Sequence, residues 1–169
     1  MLPNNVIRPI KTEDITTVID IYNHYIENSI ATFETENVSY KEMLARIIKV
    51  QQDNFPWVVI TDEFEEVIGY AYASKWRERF AYSFSVEITV YISKNHAGKG
   101  LGTKLYSYLF SELKHLGIHS VISGITLPNA ESIKLHEKFG MTQVANFKEV
   151  GFKFNRWLDV GYWQGFISP

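Results

Sequence analysis

The stretch from Phe84 to Gly102 constrains the fold more than any other part of the chain. A β-branched run, Phe84 to Ile92, gives way to Gly98-Lys99-Gly100-Leu101-Gly102. A helix starts at once, carrying Leu101, Leu105, Leu109, Leu113 and Leu116 as a broad apolar stripe. Strand, glycine turn and helix in direct succession require a layered α/β arrangement, with the helix packed on a sheet. Ser120 to Thr126 reads as the next strand. A right-handed crossover then makes strands 84–92 and 120–126 parallel neighbours, with their carboxyl ends on one side.

The rest of the chain fits that plan. Thr12 is expected to cap a helix bearing Ile15, Val18, Ile19, Tyr22 and Ile26. Ser39-Tyr40-Lys41-Glu42 matches a capping box and opens a second helix, with Leu44, Ile47 and Ile48 on one side. Trp57 to Ile60 and Val67 to Ser74 form a hairpin around the polar turn Asp62 to Glu66, and Lys75 to Ser83 is a charged, aromatic loop. Pro128-Asn129 starts a helix that ends at Phe139, with Gly140 as its left-handed stop. Beyond Met141 the chain is aromatic and strand-like through Ile167. No repeat, low-complexity tract or linker divides it, so one α/β domain over residues 1–169 is expected.

Composition excludes several functions. The chain has 169 residues, long enough to bury roughly two-thirds of its unfolded surface without staples. It has no cysteine, which removes a disulfide framework, a thiolate zinc site and a cysteine nucleophile. With 17 basic and 19 acidic residues, net −2, it lacks the charge of a general nucleic-acid binder. Met1 to Ile10 holds one Arg and no long apolar core, so no signal peptide is expected there. No apolar run approaches the roughly 20 residues of a membrane helix. His24, His96, His115, His119 and His136 have no ligand spacing with carboxylates, and Gly117 interrupts the one close pair, so no metal site is expected. A cytoplasmic protein is expected.

The glycine segment is suited to phosphate. Successive N–H groups line such a turn, the helix dipole adds positive charge, and glycine lets backbone approach closely. Neither the P-loop nor the dinucleotide fingerprint fits, since no Gly-Lys-Ser/Thr stands at the required offset and Leu105 stands three residues after Gly102. A plain strand-to-helix turn is the bland alternative. The second helix start, Asn129-Ala130-Glu131-Ser132, falls on the same crevice, where ligands of open α/β sheets bind. Two such ends suit an extended, phosphate-bearing cofactor.

Ala97-Gly98-Lys99-Gly100-Leu101-Gly102 resembles the Arg/Gln-x-x-Gly-x-Gly/Ala motif of the GNAT acyltransferase superfamily. Asn129, Ser132, Leu135, His136 and Gly140 fit its second signature. Tyr22-Asn23-His24-Tyr25-Ile26, Thr32-Phe33-Glu34-Thr35-Glu36, Val86 to Ile92, Ile125 to Asn129 and Trp157 to Gln164 are similar to the phosphinothricin acetyltransferase group. These stretches run from about Ile7 to about Phe166. The resemblance implies the GNAT fold, a mixed central sheet splayed after its fourth strand with flanking helices. It implies acetyl-CoA as donor, a small amino-acid analogue such as phosphinothricin, methionine sulfoximine or methionine sulfone as acceptor, and a homodimer paired through the aromatic carboxyl-terminal strand, which in isolation reads equally well as sheet core. Backbone of Val90, Tyr91 and Ile92 would hold the pantetheine arm. Residues Ala97, Gly98, Lys99, Gly100, Leu101 and Gly102 would hold the pyrophosphate, with Asn129 and Ser132 on the cofactor farther along. Two departures stand out: Ala97 replaces the motif's Arg or Gln, which implies weaker cofactor affinity at most, and Met141 replaces Phe as a packing change.

Acetyl transfer to an amine needs a neutral amine, a polarised carbonyl and a proton for the leaving thiolate. Glu87 sits in an apolar strand, where alternation places it on one face with Thr89 and Tyr91. Burial there raises a carboxylate's pKa, which suits a base, although pattern alone favours a solvated or ion-paired Glu. By resemblance Glu87 is the general base and His136 the thiolate's proton donor. The two assignments can be exchanged. Ser132 and His136 lie four residues apart and share a helix face. Arg77 or Arg79, flanking Glu78, can clamp an α-carboxylate with a planar fork of donors, beside Tyr82. Phe33, Ile88 and Thr89 complete the acceptor side implied by the resemblance. Without cysteine to carry the acetyl group, direct attack in a ternary complex is expected. Acetylation of a protein amino terminus or polyamine, and a non-catalytic acyl-CoA-binding module, are the competing readings.

Overall fold

The computed structural model describes residues 5–167; residues 1–4, part of the stretch read as lacking a signal peptide, lie outside the described residues. One seven-stranded sheet has the order β1-β2-β3-β4-β5-β7-β6. Its strands are β1 (Val6–Pro9), β2 (Trp57–Thr61), β3 (Val67–Lys75), β4 (Ser85–Ile92), β5 (Ser120–Thr126), β6 (Thr142–Lys153) and β7 (Arg156–Phe166). The helices are α1 (Ile15–Asn28), α2 (Tyr40–Gln52), α3 (Leu101–His115) and α4 (Ala130–Lys138). β4 and β5 are parallel neighbours, as the crossover rule requires, and every other pair is antiparallel.

Strand alternation divides the interior into two cores. On one face, Ile15, Val18, Ile21 and Ile26 of α1 and Met43, Ile47 and Val50 of α2 pack on Trp57, Val59 and Tyr70. On the other, Leu101, Leu105, Leu109 and Leu113 of α3 pack on Val58, Ala71, Val86, Ile88 and Val121. The apolar stripe foreseen for α3 is this second contact, except that Leu116 lies exposed beyond the helix end.

Local signals resolve as follows. Ser39 Oγ accepts from Glu42 N at 3.3 Å, and Glu42 Oε2 accepts from Ser39 N at 2.9 Å, completing the capping box. Gly140 has φ +75°, the left-handed stop. Thr12 caps nothing. Residues Thr12–Asp14 form a turn of 3-10 helix, and buried Asp14 binds Lys11 N and receives both guanidinium prongs of Arg8, at 2.7 and 2.9 Å. Met141 is 1% exposed, with its side chain filling the space beside Gly165, a packing role as expected.

The sheet opens in its middle. β4 pairs with β5 only over Ser85, Val86 and Glu87, against Ser120, Val121 and Ile122. Both strands continue, β4 to Ile92 and β5 to Thr126, without further pairing to each other. One edge of each strand is therefore left with main-chain donors and acceptors facing a gap.

Candidate active site

A cleft of about 470 Å³ fills that gap. Val90, Tyr91 and Ile92 border it from β4; Ala97, Gly98, Gly100 and Gly102 border it from the glycine turn. Asn129, Ser132 and His136 of the α4 region close it from the far side, and Glu87 and Thr89 stand where the strands part. Sequence-adjacent groups thus become walls of one crevice.

The glycine turn is built from two different needs. Gly98 and Gly100 each have φ +75°, and a Cβ on either would meet nothing within 4 Å, so these positions face open space. Gly100 immediately precedes α3, whose first N–H groups and positive dipole end point at the crevice. Gly102 answers to packing. A Cβ there would meet Leu135 Cδ2 at 3.0 Å, so its bareness lets α3 and α4 approach. Leu101, expected among the phosphate-binding residues, is 4% exposed with its side chain in the core, which leaves only its backbone for a ligand. Lys99 does not line the cleft; it is exposed and donates to Asn95 O at 3.1 Å. His96 Nδ1 lies 2.7 Å from Ser93 Oγ.

His136 is 2% exposed. Its Nδ1 lies 2.7 Å from Ser132 O and 3.3 Å from Ser132 Oγ, the shared helix face expected from their spacing. Nδ1–H donates to that carbonyl, so Nε2 is the bare nitrogen and accepts from the Tyr106 phenol at 2.9 Å. Burial pushes the imidazole pKa below its ordinary value, against the opposing Ser132 carbonyl. Burial raises the Tyr106 phenol far above the usual tyrosine value. Both groups are neutral at neutral pH. Sequence reasoning missed Tyr106, which borders the cleft. It sits beside Leu105 in the core-facing stripe of α3 and reads there as one more apolar residue. Asn129 Oδ1 accepts from Ser132 N at 3.1 Å, capping α4.

Glu87 is half-buried, and burial raises its pKa while the nearby Arg77 guanidinium lowers it. It shares its sheet face with Thr89, Tyr91 and, across the β3 pairing, Ser74, Tyr72 and Tyr70. Tyr72 stands opposite Thr89 across the β3–β4 pairing and feels the Glu87 charge. Tyr162 feels both Glu87 and Arg77. Its ring lies edge-on to Trp76, and the Arg77 guanidinium lies 4.6 Å from the Trp76 centroid. Tyr72, Trp76 and Tyr162 therefore join Glu87, Thr89 and Arg77 at this end, three aromatics that no sequence signal separated from core aromatics.

The other expected acceptor contacts lie elsewhere. Glu78 points to Lys49 and Lys75, at 3.5 and 3.9 Å, on the surface. Arg77, Arg79 and Tyr82 are all exposed and none lines the cleft; beyond Arg77 the loop leaves through a short 3-10 helix, Phe80–Tyr82. Ile88 borders the cleft, but alternation sends its side chain into the α3 core. Phe33 is partly exposed, with its ring against Gly151 of β6.

Residues 7–161 match the family described as an acetyltransferase (GNAT) domain. The chain belongs to the GNAT acetyltransferase family. This GNAT domain is 42% identical over 159 residues to the phosphinothricin N-acetyltransferase of Streptomyces viridochromogenes, covering 94% of this chain and 85% of that protein. It is 37% identical to the L-methionine sulfoximine/L-methionine sulfone acetyltransferase of Salmonella typhimurium, covering 89% and 88%. A Sinorhizobium meliloti GNAT phosphinothricin acetyltransferase, solved in complex with AcCoA, superposes with a TM-score of 0.94 at 36% identity, over 97% of this chain and 89% of that one. The splayed mixed sheet with flanking helices is the fold expected from the resemblance. No helix among the described residues is long and apolar enough to cross a membrane.

Proposed function

We propose that this enzyme transfers the acetyl group of acetyl-CoA to the α-amino group of a small amino-acid analogue of the phosphinothricin or methionine sulfone type. One observation carries the reading: β4 and β5 part immediately after Glu87, so a single cleft has Glu87 at its apex and His136 on its wall. The names of the relatives supply the acceptor class.

The residues fit acetyl-CoA. Main-chain groups of Val90, Tyr91 and Ile92 on the edge unpaired with β5 suit an amide-bearing arm, although Ile92 O already accepts from the Tyr25 phenol at 2.7 Å, and the turn from Gly98 to Gly102 ahead of α3 suits a pyrophosphate. Acetyl-CoA supplies an activated acyl carbonyl and a thiolate leaving group. Glu87, with its raised pKa, accepts the proton of the acceptor's ammonium, directly or through water, so that a neutral amine attacks. The attacking nitrogen sheds its second proton as the adduct collapses, and the departing sulfur takes one up. The Tyr106 phenol, hydrogen-bonded to His136 Nε2 on the cleft wall, relays it, and the proton on Glu87 leaves to water. This assignment takes Glu87 as base. Arg77, rather than Arg79, holds the acceptor's α-carboxylate, since its guanidinium stacks on Trp76, whose ring meets Tyr162, and its charge reaches Glu87.

The chain works as one domain and as a homodimer, and a reaction drawing on acetyl-CoA suits the cytoplasm. β6 is an edge strand, and its hairpin with β7 exposes Val144, Phe147, Val150, Phe152 and Trp157, an apolar face that a second copy would cover.

The test is a product screen. Incubated with acetyl-CoA, the protein should convert methionine sulfoximine, methionine sulfone or phosphinothricin to the N-acetyl product by mass spectrometry. Conversion of polyamines or peptide amino termini instead would overturn the acceptor class.

A further inference from the structure

Lys153 is the last residue of β6, on a hairpin tip more than a hundred positions from the loop it touches. Its side chain is 4% exposed, and its ammonium donates to Ser29 O and Thr32 O, each at 2.8 Å. These two carbonyls flank Ala31, which lines the cleft and whose own carbonyl accepts from the Tyr91 phenol at 3.3 Å. Two residues before Lys153, Gly151 lies flat under the Phe33 ring; a Cβ there would overlap the ring. A buried ammonium is costly unless its donors are used, and here two of its three are spent on main chain of one loop.

We propose that Lys153 is a positioning residue for acceptor binding: from the hairpin tip it latches loop 29–33, which Phe33 anchors on Gly151, and so fixes Ala31, the residue of that loop that lines the cleft, as a wall for the acceptor. The inference rests on the acceptor reading above and adds a determinant outside the cleft. Tyr91 holds the same loop from the sheet, so the wall is fixed from both sides. Gly151 gives Phe33 its seat. Its backbone is not in the left-handed region, so alanine there strains no backbone and displaces only the ring.

The latch is read first by amide hydrogen exchange, which needs no turnover. Lys153→Met should speed exchange across residues 29–34 and leave α3 unchanged; unchanged exchange in that loop overturns the latch. Steady-state rates with methionine sulfone then read its consequence. Lys153→Met should raise the acceptor KM about tenfold, the usual scale for losing charge-assisted hydrogen bonds, and Gly151→Ala should raise it too by displacing the Phe33 ring, each with the acetyl-CoA KM within about twofold. In a Phe33→Ala background, Gly151→Ala should have no further effect. Equal changes in both Michaelis constants, or a full additive penalty in the Phe33→Ala background, overturn the positioning role. Failure of wild type to acetylate any amino-acid analogue refutes the acceptor reading and this role together, whereas unchanged or slower loop exchange in Lys153→Met overturns the latch alone.

Discussion

The phenol oxygen of Tyr106 stands 2.9 Å from Nε2 of His136, and both side chains are buried against the cleft. The Ser132 carbonyl holds the proton on Nδ1, so Nε2 accepts from the phenol. A proton that the phenol passes to the departing sulfur is made good by the second proton the attacking nitrogen sheds.

Tyr106→Phe keeps the ring and removes the proton. It should lower kcat by about 10²-fold, the low end for a positioned acid, and leave acetyl-CoA binding by calorimetry unchanged. An undiminished kcat would make Tyr106 packing only.

His136 also sets a stability limit. Its folded pKa lies below the unfolded value near 6.5, so the unfolded chain binds the extra proton first. The neutral ring's contribution is full above about pH 6.5 and falls as pH drops through the window beneath it. Denaturant melts from pH 7 to pH 5 should show that loss, and His136→Phe should flatten it.

Glu87 carries the opposite sign. Its folded pKa is raised, so holding the carboxylate ionised at neutral pH costs stability, a cost relieved as pH falls through the raised value. Glu87→Gln should raise Tm at pH 7 even as it removes the base. A lower Tm would mean the carboxylate is held by partners rather than poised.

The sequence carried the middle of the fold because its signals there are local. Strand, glycine turn and helix at 84–116, the Ser39 capping box and the Gly140 stop each reside in a few consecutive residues, and all appear where expected. The division of the carboxyl-terminal stretch into β6 and β7 was not visible. Its turn places Phe154 and Asn155, neither a glycine, at φ 51° and 58°. β1 was missed for a similar reason, being four residues held by pairing with β2 rather than by any pattern of its own. At the site, Glu87 and His136 could be placed by alternation and helical spacing. The choice between Arg77 and Arg79 could not, because both lie on an irregular loop and only Arg77's stacking on Trp76 and its charge toward Glu87 separate them.

That separation predicts an asymmetry. Arg77→Ala should erase the preference for a free amino acid over its amide, a loss of about 10–150-fold in kcat/KM, while Arg79→Ala leaves it intact. Equal turnover of acid and amide by wild type would remove the clamp altogether.

The most direct measurement is acceptor-dependent thiol release from acetyl-CoA, with methionine sulfone, by wild type and Glu87→Gln at pH 7. The account predicts release matched one-to-one by N-acetyl product in wild type, and a kcat lower by about 10²–10⁴-fold in Glu87→Gln with acetyl-CoA still bound. Equal turnover by the two proteins, or acetyl-CoA binding with no acceptor-dependent release by wild type, would contradict it.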